Sequence, residues 1–328
     1  MTILVTGGSG FLGSHVVERL ARAGRPVRAL VRTSSDTRFL RSLPNVELVE
    51  GSVDDLASVR RAAEGVSGVV HAAGLVKARS GDEFMRVNRG GTENLLDAAL
   101  ENRATVRRFV LVSSLAALRP SDASGAPIPE DAEPRPVTDY GKSKLAAERA
   151  VLARKSDLSV VILRPPAIYG PRDREILAFF KSIKFGVLPL LGSTQNRVSM
   201  IYGSDCAAAC LAALDRDVPS GSAYHVDDGT PYTLEELVML AETAMGRKAK
   251  LRLHLPRRLV ETAALGSELY GRVTNRAVML TRDKLNELFA QWVCDSTKAR
   301  RELDWRPEVG FEEGVKRTMA FYREAGWL

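Results

Sequence analysis

The chain has 328 residues, 45% of them hydrophobic, and a formal charge of +7, a length able to bury a large core in one big domain or two closely joined ones. No apolar run reaches membrane-spanning length and no signal-peptide pattern follows Met1, so no membrane span and a cytoplasmic location are expected. The basic residues are mixed with Asp or Glu and form no long block, which argues against nucleic acid as a partner.

Short apolar runs alternate with helical patterns through the first half. Ile3-Leu4-Val5 reads as a strand, followed by a helix from about Phe11. Val27 to Val31 and Val46 to Val49 read as further strands, the second leading to a helix near Asp55 to Ala63. Gly68 to His71, Phe109 to Val112 and Leu158 to Leu163 continue the strands, with helices around Asn88 to Glu101 and from Tyr140. Strands this short and apolar predict an α/β fold, a parallel sheet flanked by helices. Pro120 to Pro136, rich in Pro, Ser, Asp and Glu, predicts an ordered loop over the sheet edge.

Beyond Pro165 the alternation is less regular. Helices are predicted over Asp173 to Phe185, Thr233 to Met245, Arg257 to Tyr270 and Phe311 to Ala325, enough for a smaller lobe; Ser204 to Leu214 can still pack on the main sheet. Two apolar groups stand out there: Phe179, Phe180, Ile183, Phe185, Val187, Leu188 and Leu190, then Leu259, Val260, Ala263, Ala264, Leu265 and Leu269. They read as core packing, or else as the wall of a pocket for an apolar substrate. Cys206, Cys210 and Cys294 make no disulfide framework, and with four scattered His residues they make no metal signature. Cys206 and Cys210 read as core, and no metal is expected.

Gly7, Gly10 and Gly13 follow the first strand and open a helix. Small residues allow a tight turn and close approach of a diphosphate, and a helix N-terminus favours negative charge. A purely structural glycine turn has the same look. Tyr140 and Lys144 lie four residues apart on one helix face. The ammonium there is expected to favour the phenolate, so that the tyrosine passes a proton to or from a carbonyl or alcohol. An ordinary surface pair has this spacing too; the glycine loop upstream gives it weight.

With these motifs the chain resembles the extended short-chain dehydrogenase/reductase family, of the NAD-dependent epimerase/dehydratase type. The landmarks are Gly7 to Gly13, His71-Ala72-Ala73-Gly74, Val87 to Thr92, Val112-Ser113-Ser114, Tyr140 to Lys144, and Arg164 to Pro171, in that order along nearly the whole chain. The resemblance implies a dinucleotide-binding Rossmann domain, mainly 1–165. A smaller mixed α/β substrate-binding lobe would follow, mainly 166–328, with segments near 198–228 returning to the first. It also implies a homodimer built on two sheet-flanking helices.

Within that resemblance, Tyr140 is the acid/base, Lys144 stabilises the phenolate and contacts the nicotinamide ribose, and Ser114 binds the substrate oxygen, with Ser113 as the alternative. Asn88 organises the site or only bridges backbone. Gly7, Gly10, Phe11, Leu12 and Gly13 hold the diphosphate. Ser52 and Val53 occupy the segment that meets adenine, although the Asp common there is missing. Ala72, Ala73 and Gly74 lie along the diphosphate and riboses, or are small for strand-end packing. Pro165, with Ile168 beyond it, forms the wall under nicotinamide, or a plain strand exit.

Val31 stands where relatives that use NAD carry an acid, and Arg32 can instead pair with a ribose phosphate, Ser34 or Ser35 assisting. NADP(H) is therefore expected, NAD(H) being the alternative and a solvated Arg32 the plain reading. Ala167 lacks the amide with which sugar epimerases meet a diphosphate, and Leu115 replaces a dehydratase acid. Arg172 and Arg197 are either anion ligands or surface residues. The expected function is an NADP-dependent carbonyl reductase or secondary-alcohol dehydrogenase acting on a small-molecule carbonyl or alcohol. The alternatives are a nucleotide-sugar epimerase and an inactive NADP-binding sensor or interaction module.

Overall fold

A computed structural model describes residues 1–328. In chain order the first half holds β1 (Ile3–Thr6), α1 (Phe11–Arg22), β2 (Val27–Val31), α2 (Arg38–Arg41), β3 (Val46–Glu50), α3 (Leu56–Ala63), β4 (Gly68–His71), α4 (Gly81–Phe84), α5 (Gly91–Glu101), β5 (Arg108–Val112), α6 (Asp139–Leu152) and β6 (Val160–Arg164). The second half holds β7 (Ala167–Tyr169), α7 (Leu177–Phe185), β8 (Val187–Leu191), β9 (Arg197–Tyr202), α8 (Gly203–Asp215), β10 (Ser222–His225), β11 (Pro231–Thr233), α9 (Leu234–Met245), β12 (Leu251–Leu255), α10 (Arg257–Thr274), α11 (Arg282–Leu288), α12 (Thr297–Glu302) and α13 (Phe311–Glu324).

Seven strands form one parallel sheet in the order β10-β6-β5-β4-β1-β2-β3. Successive side chains of each strand point to opposite faces. Ile3 and Val5 thus join the core under α1 and α8, and Leu4 the core under α3, α5 and α6. This is the parallel, helix-flanked sheet expected from the short apolar strands, with the Rossmann-like architecture that the family resemblance implied. The winding reverses between β1 and β4, which opens a crevice beyond the carboxyl ends of the strands.

From residue 197 onward the chain is shared between the two parts. β9 joins β7 and β11 in a three-stranded sheet, while α8 packs on α1 and β10 pairs with β6. Cys206 and Cys210 are core residues of α8. The second core gathers Tyr169, Phe180, Ile183, Leu188 and Leu190 against α9 and α13, and β8 pairs with β12 in a small separate sheet. The loop from Pro120 lies along the sheet edge, with Ile128 N–H donating to Val293 and the Glu130 carboxylate accepting from His225 N–H of β10. No helix is long and apolar enough to cross a membrane.

Two expectations change. Asn88 does not start its helix: Ser80 caps α4, which runs through a π-turn over Met85–Gly90 into α5, leaving Asn88 mid-helix and buried. The apolar pattern of α10 is neither core nor pocket wall over most of its length. Val260 and Ala264 are buried against Leu285 of α11, but Leu259, Leu265 and Leu269 face solvent. Phe185 and Val187 are exposed as well.

Candidate active site

The crevice is a cleft of about 860 Å³ reaching from the glycine loop to α11. Gly7 turns with φ 73°, and a Cβ there would lie 2.7 Å from the Ala73 amide; a Cβ on Gly13 would collide with the Gly7 carbonyl. Only glycine lets β1, the loop and the strand end at Ala72-Ala73 approach so closely. No side chain caps Gly10 at the start of α1, and its first turn carries no acid. Phe11, Leu12 and Gly13 line the cleft there with helix-start amides that have no intrahelical acceptor. These features fit a dinucleotide diphosphate.

Farther along the same end, Ser52, Val53, Ala72, Ala73 and Gly74 also line the cleft, as do Arg32, Ser34 and Ser35. Ser35 N–H donates to the Arg32 carbonyl in a tight turn, which leaves the Arg32 side chain exposed and without an ion-pair partner. The nearby Asp36 is already paired with Arg38 at 2.6 Å.

At the other end Thr138 caps α6 by accepting from Gly141 N–H, and the first turns of the helix bring Tyr140 and Lys144 to the cleft beside Ser114. Ser113 and Ser114 separate cleanly. Ser113 is buried and donates to Glu148, which is also paired with Arg164, whereas Ser114 accepts from Ala116 N–H and lines the cleft with Tyr140. Burial pushes that phenol up to about 12, and the Ser114 hydroxyl pulls it back only in part. Removing the ring from water disfavours its charged form more than Ser114 favours it, which runs against the pull that the neighbouring ammonium was expected to exert toward the phenolate. Lys144 donates to the Val112 carbonyl at 2.7 Å, and burial brings it down to about 8.

Asn88 does not line the cleft. Its amide accepts from Leu75 N–H at 2.7 Å and donates to the Leu75 carbonyl and to Ser143, which in turn donates to the Tyr140 carbonyl. It thereby joins the loop after β4 to the turn of α6 that carries Tyr140. His71 extends the scaffold between Thr6 and Thr92 and stays neutral, lowered by burial to about 3. Pro165 and Ile168 line the cleft, and the Pro165 carbonyl accepts from Leu115 N–H.

Arg172 touches the cleft but is held by Glu18 at 2.7 Å and by Ser14, over the Phe39 ring. Arg197 is exposed and lies outside the cleft. Arg172 is therefore not free in this arrangement to receive an anion, and Arg197 is not placed at the cleft to receive one.

The sequence profile of the NAD dependent epimerase/dehydratase family matches residues 3–227. The chain belongs to that family. Its relatives are extended short-chain dehydrogenases and reductases. Over 331 residues it is 37% identical to a ceramide reductase of Caulobacter vibrioides, covering 99% of this chain and 96% of the relative. It is 30% identical to a 3 beta-hydroxysteroid dehydrogenase/Delta 5-->4-isomerase of Mycobacterium tuberculosis, covering 98% and 90%. Among solved structures, the Thermus thermophilus UDP-glucose 4-epimerase in complex with NAD superposes with a TM-score of 0.79 at 26% identity, covering 99% of this chain and 100% of that one. Family and relatives together indicate an NAD-dependent enzyme of the oxidoreductase or epimerase type.

Against the family landmarks, one wall of the cleft is new. α11 brings Lys284 and Glu287 to it, with Met279 and Trp292 on either side in sequence. Lys284 lies 5.7 Å from the Tyr140 ring centre and pairs with Glu287, whose charge adds to the upward push on the phenol. The second Glu287 oxygen is buried with no partner. Asp283 holds this helix in place by accepting from Asp139 N–H at the start of α6, and Trp292 donates to the Glu287 carbonyl. Thr281, a capping residue, signals a helix in the sequence; nothing there signals its meeting with Tyr140, 144 residues before Lys284.

Proposed function

We propose that this protein is an NADP-dependent carbonyl reductase or secondary-alcohol dehydrogenase acting on a lipid-like substrate. The observation that carries the reading is the meeting of Tyr140, Ser114 and Lys144 in the cleft that the glycine loop opens. A nicotinamide bound there supplies hydride to a carbonyl carbon, or takes it from an alcohol carbon. The residues of the chain manage the oxygen and its proton. With its phenol near 12, Tyr140 is protonated throughout the neutral range, the state that donates to a carbonyl oxygen as negative charge develops on it. Ser114 donates to the same oxygen, and the Lys144 ammonium favours that charge.

Arg32, with Ser34 and Ser35 on the same turn, supports a ribose phosphate and therefore NADP. The lipid-like substrate is supported by the names of the reductase and steroid-dehydrogenase relatives. Val76, Leu115, Ala167 and Met279 in the cleft agree with it, since they offer a sugar diphosphate no charge.

The test is absorbance-monitored turnover with NADPH or NADH on long-chain keto-amides, ketosteroids, simple ketones and nucleotide sugars, with products identified by mass. Net oxidation of NADPH with a lipid ketone is expected. Sugar interconversion without net cofactor consumption would instead establish an epimerase.

A further inference from the structure

We infer that the solvent face of α10 binds the surface of an anionic lipid bilayer. This goes beyond the proposed reaction and does not rest on it. In the helix, residues seven apart share a stripe. Leu259, Gly266 and Val273 form one such stripe, Thr262 and Leu269 a second, Ala263 and Tyr270 a third, and all of these residues are exposed. Leu259 is 55% exposed, Leu269 63% and Val273 78%. The opposite face, with Val260, Ala264 and Gly271, is the one that is buried. An amphipathic helix normally turns its apolar side inward. Here an apolar side is left outside, over the length of an 18-residue helix.

Charge indicates what covers it. Between residues 247 and 276 the sequence has eight Lys or Arg against two Glu, a local excess of +6 in a chain whose total is +7. Arg258, Leu265 and Arg272 share the stripe beside Leu269, and both arginines are exposed, as is Arg276 after the helix end. None of the three has a carboxylate within ion-pair distance. A second copy of the chain would bring the same positive excess to the contact and repel. Anionic headgroups neutralise it while Leu259, Leu269, Tyr270 and Val273 enter the apolar boundary, the arrangement of a helix lying in a membrane interface. The helix lies on the bilayer and does not span it.

The placement also orients the cleft. α10 packs through Val260 and Ala264 on Leu285 of α11, and α11 presents Lys284 and Glu287 to the cleft. Met279, in the connection between the two helices, lines the cleft and is exposed at 41%. Docking through α10 therefore holds this rim of the cleft toward the lipid.

Flotation of the full chain with vesicles tests this, comparing phosphatidylcholine alone with phosphatidylcholine containing phosphatidylglycerol. The bound fraction on the anionic vesicles should be higher by roughly tenfold and should fall as salt is added. The double variant Leu269→Glu/Val273→Glu should lose most of that binding with its thermal midpoint unchanged, since both side chains are already in water. Arg258→Glu/Arg272→Glu should abolish the preference for anionic vesicles. Equal or absent binding of the wild-type chain to both vesicles overturns the inference. So does undiminished flotation of the Leu269/Val273 variant, or a wild-type dimer that this variant dissociates while neither protein floats. The readout is binding alone, so its failure leaves the proposed reaction untouched.

Discussion

On one side of the cleft Tyr140, Lys144 and Ser114 stand on α6 and the end of β5, elements rooted in the parallel sheet and its buried helices. On the other side Lys284 and Glu287 come from α11, a seven-residue helix tied to α6 by the Asp283–Asp139 bond and to the following segment by Trp292. The first wall has its proposed acid/base group set by packing and by the Asn88–Ser143 bridge, which suits one invariant proton transfer. The second is a small helix held by a few polar contacts and by Leu285 packed on α10, and it keeps one buried carboxylate oxygen without a partner. We expect the first wall to govern the chemical step and the second to govern which substrate is accepted.

The sharpest attempt to break that division is Tyr140→Phe, which keeps the ring and removes the proton. Turnover should fall by about 100- to 10,000-fold while cofactor affinity, read by fluorescence titration, changes little. Near-normal turnover by the folded variant on an established substrate would remove Tyr140 from the mechanism.

The pH profile follows in size. Lys144 is lowered by burial to about 8, so it is charged below that pH and loses its charge as pH rises through it, whereas Tyr140, raised to about 12, keeps its proton. Reduction should therefore decline above about pH 8, by up to about tenfold per unit, with the loss assigned to Lys144 and not to Tyr140. A rate that stays level from about pH 7 to 9.5 shows that the ammonium is not required.

Arg32→Ala acts at the nucleotide end. The preference for NADPH over NADH in side-by-side titrations should shrink by about tenfold, the scale of one lost hydrogen bond to a charged group. An undiminished preference points to another basic group, such as Arg174, which lines the same cleft.

The smallest effect is expected on the opposite wall. Glu287→Gln should raise KM by about two- to fivefold with kcat largely retained, because the unpartnered oxygen is available to a substrate donor and takes no part in the proton transfer. A fall in kcat with unchanged KM would place Glu287 with the reacting groups and erase the distinction between the walls.

Much of this molecule is determined locally and is legible without its structure. The glycines at 10 and 13, the apolar strands, and the i, i+4 spacing of Tyr140 and Lys144 depend on neighbours within one turn or one strand, and short-range sterics dictate them. The choice between Ser113 and Ser114 is not local. Glu148, 35 residues on, engages the first hydroxyl and leaves the second facing Tyr140. The protonated phenol likewise follows from burial, which the Tyr140–Lys144 spacing does not contain. α10 is the clearest limit: periodicity marks its stripes, yet an apolar stripe has no sign for inward or outward. Only the docking of Val260 and Ala264 on α11, far from the sheet, decided that Leu259, Leu269 and Val273 would meet solvent. The sequence by itself determined the strands of the main sheet and the Tyr140–Lys144 spacing, because these need only nearby residues. The tertiary structure decided protonation, the second wall and the exposed face, because each depends on groups brought together across the chain.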